Sequence, residues 1–383
     1  MNKKILFCAT VDYHFKAFHL PYMKWFKEHG WSVHIAASGN IDLPYTHQKY
    51  NISINRSPLK RDNITAYQQL KSIIKNNNYD IIHCHTPLGG ILTRLAAKSA
   101  RKLGTTVIYT AHGFHFYKGA PLLNWLIYYP VEKYMSKRTD CLITINHEDF
   151  YLAKKHQFRA KHLTYIPGVG INIEKFKPLL KSEKIKQKLS AGFQVDDFLL
   201  FNAGEFNHNK NQSFLIHSMV HIVKSIPNAK LLLAGEGKWL NKCQDLINQL
   251  DLNNHVKLLG FCKNIDQLLQ ISDLSVASSF REGLPVNVME AMACGLPIVA
   301  VSNRGHKELV YDNENGYIID SWNEIKFANK VKKLVNETLR DELGQNGRKM
   351  IVNQYSVKKV LQEKMALYKN YMEGSGDMEW VAP

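Results

Sequence analysis

Short apolar runs alternate with amphipathic stretches of helical length along almost the whole chain of 383 residues. The first example is an apolar run at Lys4 to Thr10, a helical face within His14 to Lys27 and a second run at Ser32 to Ala37. Strand, helix and strand in this order, without a hairpin signal, favour a parallel sheet covered by helices. The same alternation predicts further strands at Tyr79–Cys84, Thr106–Thr110, Cys141–Ile145 and Leu163–Ile166.

The alternation stops between Gly170 and Val195 and then begins again. This segment is rich in lysine, and its helical stretch at Lys181 to Lys188 has few apolar residues to bury, which predicts a linker. We therefore predict an α/β protein with two Rossmann-like parallel-sheet domains facing a central cleft. The expected ranges are 1–178 for the first domain, 190–356 for the second, 357–372 for a C-terminal helix packing back toward the first domain, and 373–383 for a flexible tail.

Two carboxylates, Glu282 and Glu290, lie eight positions apart within Arg281 to Gly295. A Gly-Leu-Pro corner keeps Glu282 out of the helix predicted for Val286 to Cys294, whereas Glu290 lies about one turn inside it. The start of a helix presents unpaired N–H groups that suit a phosphate. Carboxylates beside it would instead accept hydrogen bonds from hydroxyl groups. A nucleotide sugar, with a diphosphate between two hydroxylated groups, fits this pattern; two solvated surface glutamates are the alternative.

Histidines are concentrated at the predicted strand ends of the first half, where parallel sheets bind ligands. Gly113 follows His112 and lets the backbone turn closely, which favours direct substrate contact by His112. For the others, a satisfied core histidine is the stronger alternative. The candidates are Asp12 and His14 after the first strand, His83 and His85 after the third, and His112 and His115 after the fourth.

In the second half, Gly204 precedes Lys210 at the end of the first predicted strand. The sequence has neither the G-x-G-x-x-G dinucleotide pattern nor the motif of a phosphate-binding P-loop. Their absence argues against a nicotinamide-dependent enzyme and against a P-loop nucleotide hydrolase. A lysine in this position is a candidate for holding a phosphate, although a lone lysine is usually a solvated charge.

The net charge of +17 is concentrated in the first half. Residues 1–180 contain 25 Lys and Arg against 10 Asp and Glu, a net +15, whereas residues 181–383 contain 25 against 23, a net +2. Such asymmetry implies an anionic partner: nucleic acid, an anionic membrane face or a phosphorylated substrate. A solubility effect is the alternative.

The segment from Pro121 to Arg138 mixes aromatic and leucine residues with a basic end, which is typical of a segment lying on a membrane surface. A helix packed into the core would have a similar composition. No apolar run approaches the roughly 18 residues of a membrane span, and the polar start does not resemble a signal peptide, so we expect a cytoplasmic protein. The six scattered cysteines favour reduced, mostly buried thiols.

The chain resembles the family-four retaining glycosyltransferases of the GT-B fold, most closely the exopolysaccharide and capsule type. The resemblance covers roughly residues 4–372, and its most specific part is E-x7-E at Glu282 and Glu290, followed by A-M-A-C-G-L-P-I-V-A. Further matching motifs are I-P-G-V-G-I-N-I-E-K-F-K-P at 166–178, A-G-E-F-N-H-N-K-N-Q at 203–212, L-L-L-A-G-E-G at 231–237, V-K-L-L-G-F at 256–261, S-D-L-S-V-A-S-S at 272–279 and E-N-G-Y at 314–317.

The resemblance implies a role for each candidate residue. The implied catalytic residues are His112, Glu282 and Lys210, with His112 reaching the transferred sugar, Glu282 binding its hydroxyls and Lys210 neutralising the diphosphate. Glu290 would bind the ribose and Phe261 would border the base. The other implied donor-binding residues are Gly204, Arg281, Gly283, Leu284, Val286, Asn287 and Val288, and the expected acceptor-binding residues are Asp12, His14, His85 and His115.

Two positions depart from the family pattern. Glu205 occupies the place where many relatives have an arginine, which leaves Lys210 to carry the phosphate charge with help from Arg281 or Arg304. Pro285 stands where relatives commonly have a small residue, and its backbone has no N–H that could form a hydrogen bond with the donor substrate.

We therefore predict transfer from a UDP-sugar to a lipid-linked, polyprenyl-diphosphate glycan by a peripheral protein at an anionic inner membrane face. The sequence contains no Asp-x-Asp, so no catalytic metal and no other cofactor is expected. The alternatives are a GT-B nucleotide-sugar epimerase and, from another class, a basic nucleic-acid-binding module; the absence of a nucleic-acid motif argues against the second.

Overall fold

The structure is a computed structural model that describes residues 3–55, 57 and 59–373. The chain divides into two compact units, Met1–Val169 with Val360–Pro383 and Gly170–Lys359. Residues 374–383 of the predicted flexible tail lie outside the described residues. No helix in the described part of the chain has the length and apolar character required to cross a membrane.

The first unit alternates strands and helices as the apolar pattern predicts. Its elements are β1 (Lys4–Val11), α1 (Tyr13–Phe18), α2 (Leu20–Glu28), β2 (Ser32–Ser38), β3 (Gln48–Asn51), α3 (Asp62–Asn77), β4 (Ile81–His85), α4 (Pro87–Ala96), α5 (Lys98–Lys102), β5 (Thr106–Ala111), α6 (Leu122–Ser136), β6 (Cys141–Thr144), α7 (His147–Lys155) and β7 (His162–Tyr165).

Within the described residues, the strands of the first unit form a seven-stranded parallel sheet in the order β3-β2-β1-β4-β5-β6-β7. Its central strands are buried on both faces, since every residue of β1 and β4 is buried throughout their pairing from Ile5 with Ile81 to Cys8 with Cys84. The strand order reverses between β1 and β4, and such a reversal opens a crevice at the carboxyl ends of the strands.

Three features of the first unit differ from the sequence-based expectation. The helix expected over His14 to Lys27 is two helices that meet at His19, just before Pro21. Strand β3 was missed because it is a half-exposed edge strand without an apolar run. Strand β4 begins at Ile81 and ends at His85, further along the chain than the expected Tyr79–Cys84, so His85 is its last residue and does not follow it.

The second unit repeats the alternation with shorter strands. Its elements are α8 (Lys181–Ser190), β8 (Phe198–Ala203), α9 (Gln212–Ser225), β9 (Ala229–Ala234), α10 (Leu240–Gln249), β10 (Val256–Gly260), α11 (Ile265–Ile271), β11 (Leu274–Ala277), α12 (Val286–Ala293), β12 (Ile298–Val301), α13 (Arg304–Leu309), β13 (Gly316–Ile319), α14 (Glu324–Lys333), α15 (Glu337–Met350), a π-helical turn (Ile351–Tyr355) and the first residues of α16 (Val357–Glu373).

In the described part of the second unit, six parallel strands pair in the order β10-β9-β8-β11-β12-β13. The order reverses between β8 and β11, which places the crevice of this sheet between the loops that follow those strands. Both sheets together give the predicted α/β architecture with two Rossmann-like domains.

Helix α8 is part of the second unit, although its polar sequence predicts a linker. Lys184 and Lys188 point to Asp273, at 2.9 and 3.5 Å, just before β11. The sequence suggests that these lysines are solvated, but in the structure their ion pairs with Asp273 hold α8 against the sheet. The end of the chain belongs to the first unit, where Val360, Leu367 and Tyr368 of α16 are buried in the core.

Candidate active site

The loops that follow β8 and β11 lie side by side at the strand-order reversal of the second sheet. Asn209 joins them, because its amide donates to the carbonyl of Arg281 at 3.0 Å and accepts from the N–H of Arg281 at 3.1 Å. The hydroxyl of Ser278 donates to the carbonyls of Lys210 and Asn211. These hydrogen bonds hold the two loops together at the carboxyl ends of β8 and β11.

Lys210 and Glu282 meet between the two loops with 2.7 Å between Nζ and Oε1. Burial opposes ionisation of Glu282, but the ammonium of Lys210 and a hydrogen bond from Ser279 together outweigh it, so the pKa of the carboxyl lies below its usual value. Gly204 leaves room for the lysine stem, since a Cβ at Gly204 would lie 3.3 Å from two of its carbons. The structure thus brings together a fixed positive charge and a carboxylate that stays ionised.

Helix α13 fixes the backbone of Glu282. The Nε of Arg304 donates to the carbonyl of Glu282 at 3.0 Å, so the guanidinium that was considered as a second phosphate ligand contacts the loop itself. A Cβ at Gly305 would lie 2.6 Å from the Cβ of Glu282, which explains why glycine is required there. Sequence reasoning missed Gly305 as a site residue, because a glycine after a strand signals only a turn.

Helix α12 begins directly after this loop, with Pro285 as its N-cap and no side chain capping its first turn. The N–H groups of Val286 to Val288 therefore lie at an open helix start. The side chain of Asn287 donates to the carbonyl of Ala203 at 2.8 Å, so this residue offers its backbone and not its amide to a ligand. Gly283 and Leu284 lie in the same loop.

Glu290 lies on the second turn of α12, as the sequence predicts, but not in contact with the Lys210–Glu282 pair. Burial raises the pKa of its carboxyl to about 7, although Lys175 opposes the shift. The remaining predicted donor residue, Phe261, is exposed after β10, which is separated from β8 by β9.

The first unit has a cluster of histidines at the carboxyl ends of β1, β4 and β5. The Nε2 atoms of His14 and His19 are 3.1 Å apart, and His85 Nδ1 lies 3.3 Å from His112 Nε2. The rings of His14 and His112 meet edge to face with centroids 4.8 Å apart. The structure therefore brings the predicted residues His14, His85 and His112 together and adds His19, which sequence reasoning missed.

Burial keeps this cluster neutral. It lowers the pKa of His14 to about 4 and the pKa of His112 well below its usual value, and the neighbouring Lys364 adds to both shifts. Lys364 is itself buried, which lowers its pKa to about 7. A neutral imidazole can donate one hydrogen bond and accept another, so His112 suits an uncharged hydroxyl group.

The ring nitrogens of His14, His19, His85 and His112 lie within 4.8 Å of one another, a spacing that could hold a metal ion. Metal-binding histidines usually donate their second ring N–H to an acceptor. In this cluster His19 Nδ1 and His85 Nε2 have no hydrogen-bond partner among the described residues. Hydrogen bonds between the neutral imidazoles also account for this spacing.

The loop from His112 to His115 is held in place by polar contacts. Gly113 adopts φ +122°, which confirms the tight turn expected after His112. Asp149 accepts from the N–H of Phe114 at 2.9 Å, and Asn124 donates to the carbonyl of His115 at 2.9 Å. The ring of His115 lies against Tyr128 of α6, with the ring centroids 4.6 Å apart.

Two predicted acceptor residues are buried and make contacts within the first unit. The carboxylate of Asp12 accepts from the N–H of Ile41 and from Lys49, both at 2.7 Å, and so fastens the loop after β2. His85 is fully buried behind His112. The predicted contact of these two residues with the acceptor stays a prediction. His83 is structural, since its ring nitrogens contact the hydroxyls of Tyr368 and Thr110.

Comparison with known proteins places this geometry in a family. The protein-family model described as "Glycosyl transferases group 1" matches residues 183–350, and the family model "Glycosyl transferase 4-like" matches residues 4–146. The Bacillus subtilis (strain 168) protein named "Putative glycosyltransferase EpsD" is 49% identical over 374 residues, which cover 97% of this chain and 98% of EpsD. The chain belongs to the family-four glycosyltransferases. This membership supports the predicted transferase and not the epimerase alternative.

Two further comparisons extend this result. The UDP-Gal:alpha-D-GlcNAc-diphosphoundecaprenol alpha-1,3-galactosyltransferase of Escherichia coli is 28% identical to this glycosyltransferase, over 80% of the chain and 81% of the relative. The crystal structure of HepE from Anabaena, in complex with UDP and glucose, superposes on this chain with a TM-score of 0.78, over 96% of this chain and all of the HepE chain. The two sequences are 19% identical. The second likeness confirms the GT-B fold.

Proposed function

We propose that this glycosyltransferase transfers a hexosyl group, with retention of configuration, from a UDP-sugar to a lipid-linked, polyprenyl-diphosphate glycan in exopolysaccharide or capsule synthesis. The observation that carries the proposal is the Lys210–Glu282 pair beside the open start of α12, at the strand-order reversal of the second sheet. The E. coli relative supports the lipid-linked acceptor, because its name specifies a sugar on diphosphoundecaprenol.

The chemistry follows from where charge develops. Cleavage of the bond between the anomeric carbon and the diphosphate leaves negative charge on the diphosphate and positive charge on the sugar ring. Lys210 and the N–H groups of Gly283 to Val288, Pro285 excepted, stabilise the leaving group, and one fixed donor of this kind contributes roughly 3 kcal/mol. The charge is supplied by protein groups, so the proposed reaction requires no metal and no other cofactor.

The remaining side chains orient the two substrates. Glu282 accepts hydrogen bonds from hydroxyls of the donor sugar, and Glu290 accepts them from the ribose. Neutral His112 hydrogen-bonds to the sugar being transferred, and His14 and His115 contact the acceptor. The acceptor hydroxyl attacks on the face that the diphosphate leaves, and an oxygen of the departing diphosphate takes its proton.

We further propose that helix α6 rests on the anionic inner face of the membrane. Leu122, Leu123, Leu126 and Ile127 are exposed on this helix, and Lys137 and Arg138 follow it. Exposed apolar side chains beside basic ones are typical of an interfacial helix. The net charge of +15 in residues 1–180 then attracts the anionic membrane surface and the phosphorylated acceptor, and no nucleic-acid partner is needed to account for it. In this proposal the protein is a peripheral enzyme on the cytoplasmic side of the membrane.

One assay tests the proposed reaction. The protein is incubated with a panel of UDP-sugars and a polyprenyl-diphosphate sugar in the presence of EDTA, and mass added to the lipid is measured. We expect one UDP-sugar to support transfer. If no UDP-sugar is bound or transferred, the proposal is wrong.

A second assay tests the membrane contact. We expect Leu126→Glu to abolish sedimentation with anionic vesicles while leaving UDP binding unchanged. The matched control is Ile64→Glu, an equally exposed apolar residue on α3. Equal sedimentation of both variants would contradict a role for α6.

A further inference from the structure

A cavity of about 460 Å³ opens beside the histidine cluster in the first unit. It is enclosed by α1, the start of α4, the loop after β5 and α6. Most of its lining is apolar, and the residues that define its walls are Val11, Phe18, Leu88, Ile91, Tyr128 and Val131. A concave apolar site of this size, with few polar groups, is what a small apolar ligand requires.

The charged groups in the wall of this cavity neutralise each other. Glu132 lines the cavity, but one of its oxygens accepts from Arg94 at 2.9 Å and the other from the hydroxyl of Tyr109 at 3.2 Å. The guanidinium of Arg94 also lies over the ring of Tyr109, 3.8 Å from its centroid. The buried ion pair is therefore satisfied within the protein and leaves no charge for a ligand to neutralise.

The lining of the cavity combines polar and apolar side chains. His14 and His115 line it, and His14 also belongs to the cluster that contains His112. Tyr128 and Val131 of α6 line it too and are partly exposed, and the ring of Tyr128 lies 4.6 Å from that of His115. They lie on the same helix as the exposed apolar residues Leu123 and Ile127, so apolar surface continues from the outside of α6 into the cavity.

We propose that this cavity binds the isoprenoid chain of the acceptor, at the units next to the diphosphate, with the sugar hydroxyls of the headgroup at His14 and His115. This inference rests on the proposed function, in which the acceptor is a polyprenyl-diphosphate glycan. Such an acceptor has an uncharged apolar chain at one end and a polar sugar at the other. The continuous apolar surface lets the rest of the chain leave along α6 toward the membrane.

The test measures binding of farnesyl diphosphate to the intact protein by calorimetry, with saturating UDP to occupy the donor site. We expect farnesyl diphosphate to bind at least about 10-fold more tightly than inorganic diphosphate, because its chain loses contact with water. Ile91→Trp fills the cavity from α4 and Val131→Trp fills it from α6. Each should remove this advantage, whereas Ile64→Trp, on exposed α3, should keep it.

Because the test measures binding without sugar transfer, it can fail or succeed independently of the proposed reaction. Equal affinity for farnesyl diphosphate and inorganic diphosphate in the wild type would overturn the cavity assignment. So would an unchanged advantage in both cavity variants, whose folding is checked by thermal unfolding. Tighter binding of dodecyl diphosphate than of farnesyl diphosphate would assign the cavity to an acyl chain and overturn the isoprenoid proposal.

Discussion

The two sheets carry chemically opposite groups at equivalent positions. In the second unit, the strand-order reversal is occupied by an ion pair, Lys210 and Glu282, whose charges are partly accessible. In the first unit, the corresponding strand ends carry neutral imidazoles, because burial and the nearby Lys364 disfavour protonation. The same architecture therefore offers charge in one unit and uncharged hydrogen-bonding groups in the other, which suits a diphosphate in the first case and hydroxyl groups in the second.

The largest effect should follow removal of the charge in the second unit. We expect Lys210→Ala to lower kcat for sugar transfer by about 10²- to 10³-fold, since the leaving diphosphate loses a fixed positive donor. It also leaves Glu282 without the cation that keeps its pKa low. The matched control is Lys224→Ala, an exposed lysine in the last turn of α9. A kcat within threefold of wild type for Lys210→Ala would contradict the proposed role.

The neutral site should respond differently. We expect His112→Ala to lower kcat by about 10²-fold, because a hydrogen bond to the transferred sugar is lost, while UDP affinity stays within twofold of wild type. Isothermal titration with UDP and initial-rate kinetics separate the two quantities. His29→Ala, at the exposed end of α2, serves as the control. A parallel loss of UDP affinity would remove the distinction between the two units.

A smaller effect should follow from crowding Glu282 without removing it. A Cβ at Gly305 would lie 2.6 Å from the Cβ of Glu282, so Gly305→Ala must displace the carboxylate. We expect kcat/KM for the donor to fall about 10-fold, because displacement of a positioning group is costly to catalysis. Gly347→Ala is the control, since its nearest neighbour would lie at 3.5 Å. Equal kcat/KM in the two variants would show that the position of Glu282 is not critical.

The sequence predicts the parts of this comparison that depend on local pattern. The position of Glu290 on the second turn of a helix and the turn after His112 follow from Pro285 and Gly113, and both are confirmed. Contacts between distant segments could not be predicted. Lys364 reaches the histidines from the far end of the chain, and Asp12 is held by Lys49, although neither pairing leaves a periodic signal in the sequence.

The last effect concerns stability and not catalysis, and it uses Glu290, the second carboxylate of the E-x7-E pattern. The pKa of Glu290 is raised by burial from 4.5 to about 7, so its ionisation costs folding energy at high pH. This cost is fully present above about pH 7 and disappears as the pH falls toward 4.5. Glu290→Gln should therefore raise the free energy of unfolding by about 3 kcal/mol at pH 8 and change it little near pH 4.5. Urea unfolding at both pH values checks this difference, and an equal effect at the two pH values would show that ionisation of Glu290 is not its source.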